Sequence, residues 1–206
     1  VLWENGACLN VIDAMGYPAV QLTNILVYGN TATATGASWN YSTGGIAIGG
    51  GAQSIASTQI INCTIADNTS AHATVPAGGM SINLDSSDVN VMNSILWNAQ
   101  DDIYEYPGGA GANVYYSDIG DADYTDTGVI HTNPAFAGAD DYHLTAGSGG
   151  CIDGASAAGA PSVDLEGTSR PQGGGYDMGA YEYSVPLVQY TLTTSVAGGH
   201  GTISPP

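Results

Sequence analysis

Three segments of the chain repeat one pattern, and that pattern limits the fold more than any other feature. They are Leu22-Thr-Asn-Ile-Leu-Val-Tyr-Gly-Asn30, Ile60-Ile-Asn-Cys-Thr-Ile-Ala-Asp-Asn68 and Val91-Met-Asn-Ser-Ile-Leu-Trp-Asn98. Each has an early Asn (Asn24, Asn62, Asn93), an apolar stretch and a closing Asn (Asn30, Asn68, Asn98), and the third is one residue shorter between the two. A second motif recurs as Gly44-Gly-Ile-Ala-Ile48 and Gly78-Gly-Met-Ser-Ile82. The early asparagines are 38 and 31 residues apart, so the repeat is irregular, with loops of varying length. Units of this size cannot bury an apolar face alone and must stack on their neighbours.

The apolar runs are short and bounded by Gly, Asn, Ser or Thr, which spells strands, and no segment sustains a helical apolar period. The fold expected is all-β: a right-handed parallel β-helix (a solenoid) over 1–98. Over 99–183 an irregular β-rich cap continues it, and 184–206 is a linker with a C-terminal strand or hairpin. Alternation places Thr23/Ile25/Val27, Ile61/Cys63/Ile65 and Met92/Ser94/Leu96 inward. The asparagines form a structural ladder. The closing ones are expected at a bend, where Asn tolerates left-handed backbone and its amide bonds along the stack.

Charge removes whole classes of function. With 19 acidic residues, one Arg and no Lys, the formal charge is -18. Schiff-base catalysis and lysine-bearing phosphate loops both need a residue the chain lacks. Nucleic acid is excluded as a partner, because binding it means neutralising phosphates. No apolar run reaches the ~20 residues of a membrane span. Yet 43% of residues are hydrophobic, enough for a packed core. Val1 opens without Met, a basic n-region or a long apolar run, so the sequence reads as a processed piece of something larger. Cys8, Cys63 and Cys151 are too widely spaced for a zinc site and read as small buried hydrophobes, with a Cys8–Cys63 bridge as the alternative.

Beyond Ala99 the segments are rich in Tyr, Gly and Asp. The runs Asn93-Ser-Ile-Leu-Trp-Asn98, Tyr116-Ser-Asp-Ile119, Asn133-Pro-Ala-Phe136, Asp141-Tyr-His-Leu144, Cys151-Ile-Asp153 and Arg170-Pro-Gln-Gly-Gly-Gly-Tyr-Asp-Met-Gly-Ala-Tyr-Glu182 occur in that order. This resembles the C-terminal part of bacterial secreted right-handed β-helix proteins with a choice-of-anchor Q domain, over roughly Leu22–Tyr183. The resemblance implies a secreted or cell-surface location and a β-helix, and little about chemistry. Gly149-Gly150 stands where that family usually has Ser-Pro. After Ser184-Val-Pro186 the alternating strand Gln189–Val196 resembles the opening of a small repeated β-module of bacterial surface proteins.

Candidate sites are few. Arg170 is read as a buried structural ion pair with Asp153, Asp177 or Glu182. Asp121, Asp123 and Asp126, in a turn-rich loop without the closing Glu of an EF-hand, offer oxygen ligands for calcium, the one cofactor expected. Tyr104, Tyr106, Tyr115 and Tyr116 are the candidate platform for stacking a glycan. A β-helix hydrolase would need facing carboxylates, but Asp85, Asp88, Asp101 and Asp102 lie off the repeated strand positions. The histidines His72, His131 and His143 are scattered. The sequons at Asn62 and Asn68 fall on repeated positions, which argues against glycosylation there.

The function expected is a non-enzymatic extracellular structural or adhesive module; the alternative is a polysaccharide-binding or polysaccharide-degrading β-helix. Self-association end to end is the partner expected besides polysaccharide. It rests on an uncapped first coil at Val1–Ile12 and on the orphan strand Gln189–Val196, free to add to a sheet edge.

Overall fold

The computed structural model describes residues 9–11, 20–33, 43–49, 57–73, 76–83, 88–109 and 111–184. Among them the chain forms short strands and no helix. It makes four passes through the same layout. The first holds β1 (Leu9–Val11), β2 (Val20–Thr23), β3 (Leu26–Tyr28) and β4 (Thr31–Ala32). The second holds β5 (Ile46–Ile48), β6 (Thr58–Ile61), β7 (Thr64–Ala66) and β8 (Thr69–Ser70). The third holds β9 (Ala77–Ile82), β10 (Val89–Met92) and β11 (Ile95–Trp97); the fourth holds β12 (Asp101–Glu105), β13 (Ala112–Tyr115) and β14 (Asp118–Ile119).

Each pass adds one parallel strand to each of three sheets: sheet A (β1-β5-β9-β12), sheet B (β2-β6-β10-β13) and sheet C (β3-β7-β11-β14). A two-stranded sheet, β4-β8, sits beside them. Like stacks on like, about 4.8 Å apart. In sheet B, Leu22, Ile60, Val91 and Val114 share one column. In sheet C, Val27, Ile65, Leu96 and Ile119 share another. These columns meet Ile46, Met80, Ile48 and Ile82 of sheet A in one core.

The corner between sheets B and C explains the early asparagines. Asn24, Asn62 and Asn93 have φ of 53°, 49° and 55°, and Tyr116 holds the fourth position at 48°. Left-handed backbone is the conformation Asn adopts most readily after Gly. It also resets the side-chain alternation. Leu22, Ile60 and Val91 point inward before the corner, and Ile25, Cys63 and Leu96 after it. The single unbroken inward frame expected from sequence is therefore wrong ahead of the bend: Ile61 and Met92 face outward. A Cβ on Gly159 would lie 3.4 Å from Met92 Cε and 3.9 Å from Ile61 Cδ1.

Two polypeptide stretches finish the molecule. Residues 120–130 close over the fourth pass, with Tyr124 and Val129 against the core and Ile130 bridged in parallel to Asp118. Residues 131–183 then lie along the outer face of sheet C. There Phe136, Tyr142, Leu144, Met178 and Tyr181 pack on Leu26, Ala66, Ile95 and Trp97. This stretch reaches back to the first pass, where Asn24 Nδ2 donates to Val163 O at 2.7 Å and Tyr28 meets Tyr142 with ring centroids 5.0 Å apart. It covers a flank, and the shorter 120–130 stretch closes the end.

Candidate functional site

The asparagines divide into two columns with different partners. In the closing column, Asn30 Nδ2 donates to Asn68 Oδ1 at 2.8 Å, and Asn68 Nδ2 to Asn98 Oδ1 at 3.2 Å. Asn98 Nδ2 donates to Asp102 Oδ1 at 2.7 Å. The amides also bond back to Val27 O and Ile65 O. Here the left-handed residues are Gly29 and Asp67, just before Asn30 and Asn68, and not the closing asparagines themselves. The early column holds the C-terminal stretch: Asn62 Nδ2 donates to Asp177 O at 3.0 Å and Asn93 Nδ2 to Ser156 O at 2.8 Å.

Arg170 is the anchor of that stretch. Its Nη1 lies 2.8 Å from Glu182 Oε2, with both side chains fully buried. The guanidinium also donates to Asp177 O and Gly179 O. Of the three carboxylates proposed for the pair, Glu182 takes the contact. Asp153 accepts from Gly174 N and Gly175 N, and Asp177 accepts from Asp153 N and Tyr183 N. Burial pushes Asp177 up to about 6, against those hydrogen bonds.

Cys63 and Cys151 are buried free thiols, so no Cys8–Cys63 bridge forms; Cys8 itself lies outside the described residues. Burial pushes Cys63 up to about 11, far from a reactive thiolate. Cys151 Sγ donates to Asp118 Oδ2 at 3.1 Å, and burial raises Asp118 to about 6. Asn62 and Asn68 are fully buried, which closes both sequons to modification.

Among the described residues, a cleft of about 330 Å³ opens between β12 and the 120–124 turn, lined by Asp101, Ile103, Tyr104, Glu105, Asp123 and Tyr124. β12 is the last strand of sheet A, so alternation turns Ile103 and Glu105 to one side and Tyr104 to the other. Tyr124 OH donates to Glu105 Oε1 at 2.7 Å, which fixes the ring. Burial raises Asp101, and the neighbouring charges of Asp121 and Asp123 add to it. Chemically the cleft offers carboxylate acceptors and aromatic faces.

The residues expected to act together are only partly gathered here. Tyr104 lines the cleft, with Tyr106 edge-on at 5.8 Å. Tyr115 projects from sheet B, half-exposed, and Tyr116 is at the B/C corner under Gly128. Asp123 lines the cleft. Asp121 instead bonds beyond the closing-Asn column, to Asp102, which takes the place after Asn98 by accepting from Asn98 N and Nδ2. There Asp102 N donates to Asp121 Oδ2 and Asp121 N to Asp102 Oδ2. Asp126 is exposed. Among the described residues no group of three or more His, Cys, Asp or Glu is arranged to hold a metal ion.

Three features escaped the sequence reading. Tyr124 carried no repeat signal. Asp102 does not lie off the repeated strands as expected: with Asp101 it is on β12, stacked on β9, and it is fully buried at the end of the ladder, where burial raises it to about 7 against hydrogen bonds from Asn98 and Gly120. His143 sits between Asp141 (2.6 Å) and Glu166 (3.2 Å) on its two ring nitrogens and stacks on Tyr181. A spacing of 23 residues to Glu166 gives no local clue to that pair.

Comparison with known proteins returns nothing: no family model matches the chain, and no curated protein or solved structure matches it significantly.

Proposed function

We propose that the four passes wind as a right-handed parallel β-helix and that the protein is an extracellular structural or adhesive module. A crossover between parallel neighbours of one sheet, such as β2 to β6, is right-handed in about 98% of cases. The observation that carries the scaffold reading is where the scarce reactive groups go. Arg170, Cys63, Cys151 and both asparagine columns lie inside the fold or against the covering stretch, and each bonds to backbone or a structural partner. The resemblance to choice-of-anchor Q proteins supports the extracellular location. End-to-end association belongs to the same proposal, although Gln189–Val196 and most of Val1–Ile12 lie outside the described residues. Light scattering of the full chain against one lacking Val188–Pro206 tests it: assembly that survives truncation, or its absence at high concentration, rejects strand-mediated joining.

Polysaccharide binding is the second reading, favoured by the cleft of Tyr104 and Tyr124 with its carboxylates. A surface of charge -18 disfavours uronates and sulfated polymers. Binding on an array of neutral glycans, lost in Tyr104→Ala, is the expected outcome; an array without hits removes this reading. A calcium ion as counter-charge for Asp121, Asp123 and Asp126 completes the proposal. Calorimetry at millimolar calcium should give heat, and a chelator should lower the melting point; silence in both rejects the ion.

A further inference from the structure

We propose that the outer face of sheet B is a binding strip for an extended, uncharged, β-1,4-linked glycan laid along the stacking axis. The strip is built by register. Leu22, Ile60, Val91 and Val114 turn into the core, so the residue before each turns outward: Gln21, Gln59, Asn90 and Asn113. These four pair strand to strand, which sets one side-chain amide on every pass at a spacing of about 4.8 Å. Gln21 and Asn113 are exposed, Gln59 and Asn90 half-buried. The closing asparagines also stack, but there the amides satisfy one another and the backbone inside the fold. The outer amides are steadied differently. Gln21 Nε2 donates to Thr23 Oγ1 at 3.0 Å, Gln59 Nε2 to Ser57 Oγ at 3.2 Å and Asn90 Nδ2 to Asp88 O at 3.2 Å, each along its own strand. Asn113 Nδ2 reaches across to Asn90 Oδ1 at 3.4 Å. Among the described residues the carbonyl oxygens of Gln21, Gln59 and Asn113 take no hydrogen bond, and each amide keeps a second N–H for a ligand.

Pitch and charge choose the ligand. The strand spacing is close to the length of one pyranose unit in an extended glycan, so successive sugars meet successive amides. Each amide can donate to and accept from a hydroxyl. A coiled, α-linked chain falls out of step. The strip carries no carboxylate. Its outward neighbours two residues on are Thr23, Ile61, Met92 and Tyr115, and Asp88 lies at the rim, just before β10. On a chain of charge -18 an uncharged strip accepts a neutral polymer, while uronates and sulfated chains are repelled. The same charge disfavours a second copy of this chain packed side by side on the strip. Tyr115 is 37% exposed, and at the fourth-pass end its ring offers a stacking face beside Asn113. Gly159 of the covering stretch lies over Ile61 and Met92 and banks the strip along one side. The strip is on sheet B, away from the Tyr104 cleft on β12, and does not depend on it.

Calorimetry of the full chain with cellohexaose, xylohexaose, maltohexaose and a galacturonate oligomer tests the strip. The first two should bind, and the last two far less tightly. Gln59→Ala/Asn90→Ala should weaken cellohexaose binding roughly tenfold, the scale of two exposed hydrogen bonds, and Tyr115→Ala should weaken it as well. Thermal melts report whether the variants fold. Where the inner pair does not, Gln21→Ala/Asn113→Ala, at exposed positions, decides. No heat from either β-linked chain at millimolar concentration overturns the proposal. So does maltohexaose that binds as tightly as cellohexaose, or a folded amide variant that binds like the parent. Tyr104→Ala reads the cleft separately: binding lost there but kept in the amide variants assigns the glycan to the cleft and rejects the strip. Binding kept in Tyr104→Ala and lost in the amide variants supports the strip and rejects the cleft. Light scattering that shows self-association of the parent, abolished in the amide variants without any heat from glycan, gives the strip to a second copy and overturns the glycan.

Discussion

Asn62 does two jobs that can be separated by substitution. Its backbone sits at φ 49°, and its amide holds the Asp177 and Gly179 carbonyls of the covering stretch. Asn62→Gly keeps the backbone and loses the bonds, whereas Asn62→Ala loses both. Ala should therefore be less stable than Gly here by roughly 1 kcal/mol, the reverse of the usual order in a strand. Urea denaturation of the two variants reads the difference; Ala equal to or better than Gly would show that the corner does not need left-handed backbone. Arg170 and Glu182 give a second test. Arg170→Met leaves a fully buried carboxylate unpaired, a loss of about 3–5 kcal/mol. Adding Glu182→Gln should recover part of it in the same assay, because the remaining amide is neutral and its oxygen still accepts from backbone. A double variant no better than the single would mean that packing, and not the charge, is what Arg170 supplies.

Elements stack in this molecule because of small residues as much as apolar ones. At Gly79 a Cβ would collide with the Asp102 carbonyl and lie 2.7 Å from Asn98 Nδ2, beside the ladder; at Gly29, with φ 65°, it would meet nothing within 4 Å. Gly79→Ala should lower stability by more than ~2 kcal/mol, as overpacking against backbone does, and Gly29→Ala by only about 1 kcal/mol, the penalty of its positive φ. Thermal melts that rank the two the other way would contradict the stacking. The repeated Asn and Gly-Gly positions were legible in the sequence because each recurs at equivalent places in successive passes. The strands followed from short apolar runs. The frame reset at Asn24, Asn62 and Asn93 was not legible, since alternation counts residues and a left-handed residue breaks the count. The path of 131–183 was also hidden. Ile61 and Met92 look like core residues in either arrangement, and only tertiary contact shows that Gly159 covers them. The cleft was half visible, through Tyr104 and Asp123. Tyr124 and Glu105 meet across 19 residues with no pattern linking them.

At the scale of the whole molecule, the acidic composition fixes the sign of the pH dependence. Burial raises Asp102 to about 7 and Asp118 and Asp177 to about 6, from a value of 3.8 for the free side chain. A carboxyl with a raised folded-state pKa holds a proton that the unfolded chain has already released. Its contribution is fully present below about pH 4 and is lost as pH rises through 6 and 7. His143 adds in the same direction: burial pulls it down, but Asp141 and Glu166 outweigh that and raise it. Asp141 opposes them, lowered by the hydrogen bonds from His143, but it is fully exposed and screened by solvent. The net charge of -18 works with the buried carboxyls, because self-repulsion grows as acids ionise. The urea midpoint should therefore fall steadily from about pH 4.5 to about pH 8, with salt raising it most at the upper end. Asp102→Asn has no proton to lose, so its midpoint should flatten between about pH 6 and pH 8 while the slope due to Asp118 and Asp177 persists below. A midpoint that peaks near pH 8 would mean that these carboxyls are ionised in the folded chain and hydrogen-bonded strongly enough to outweigh their burial.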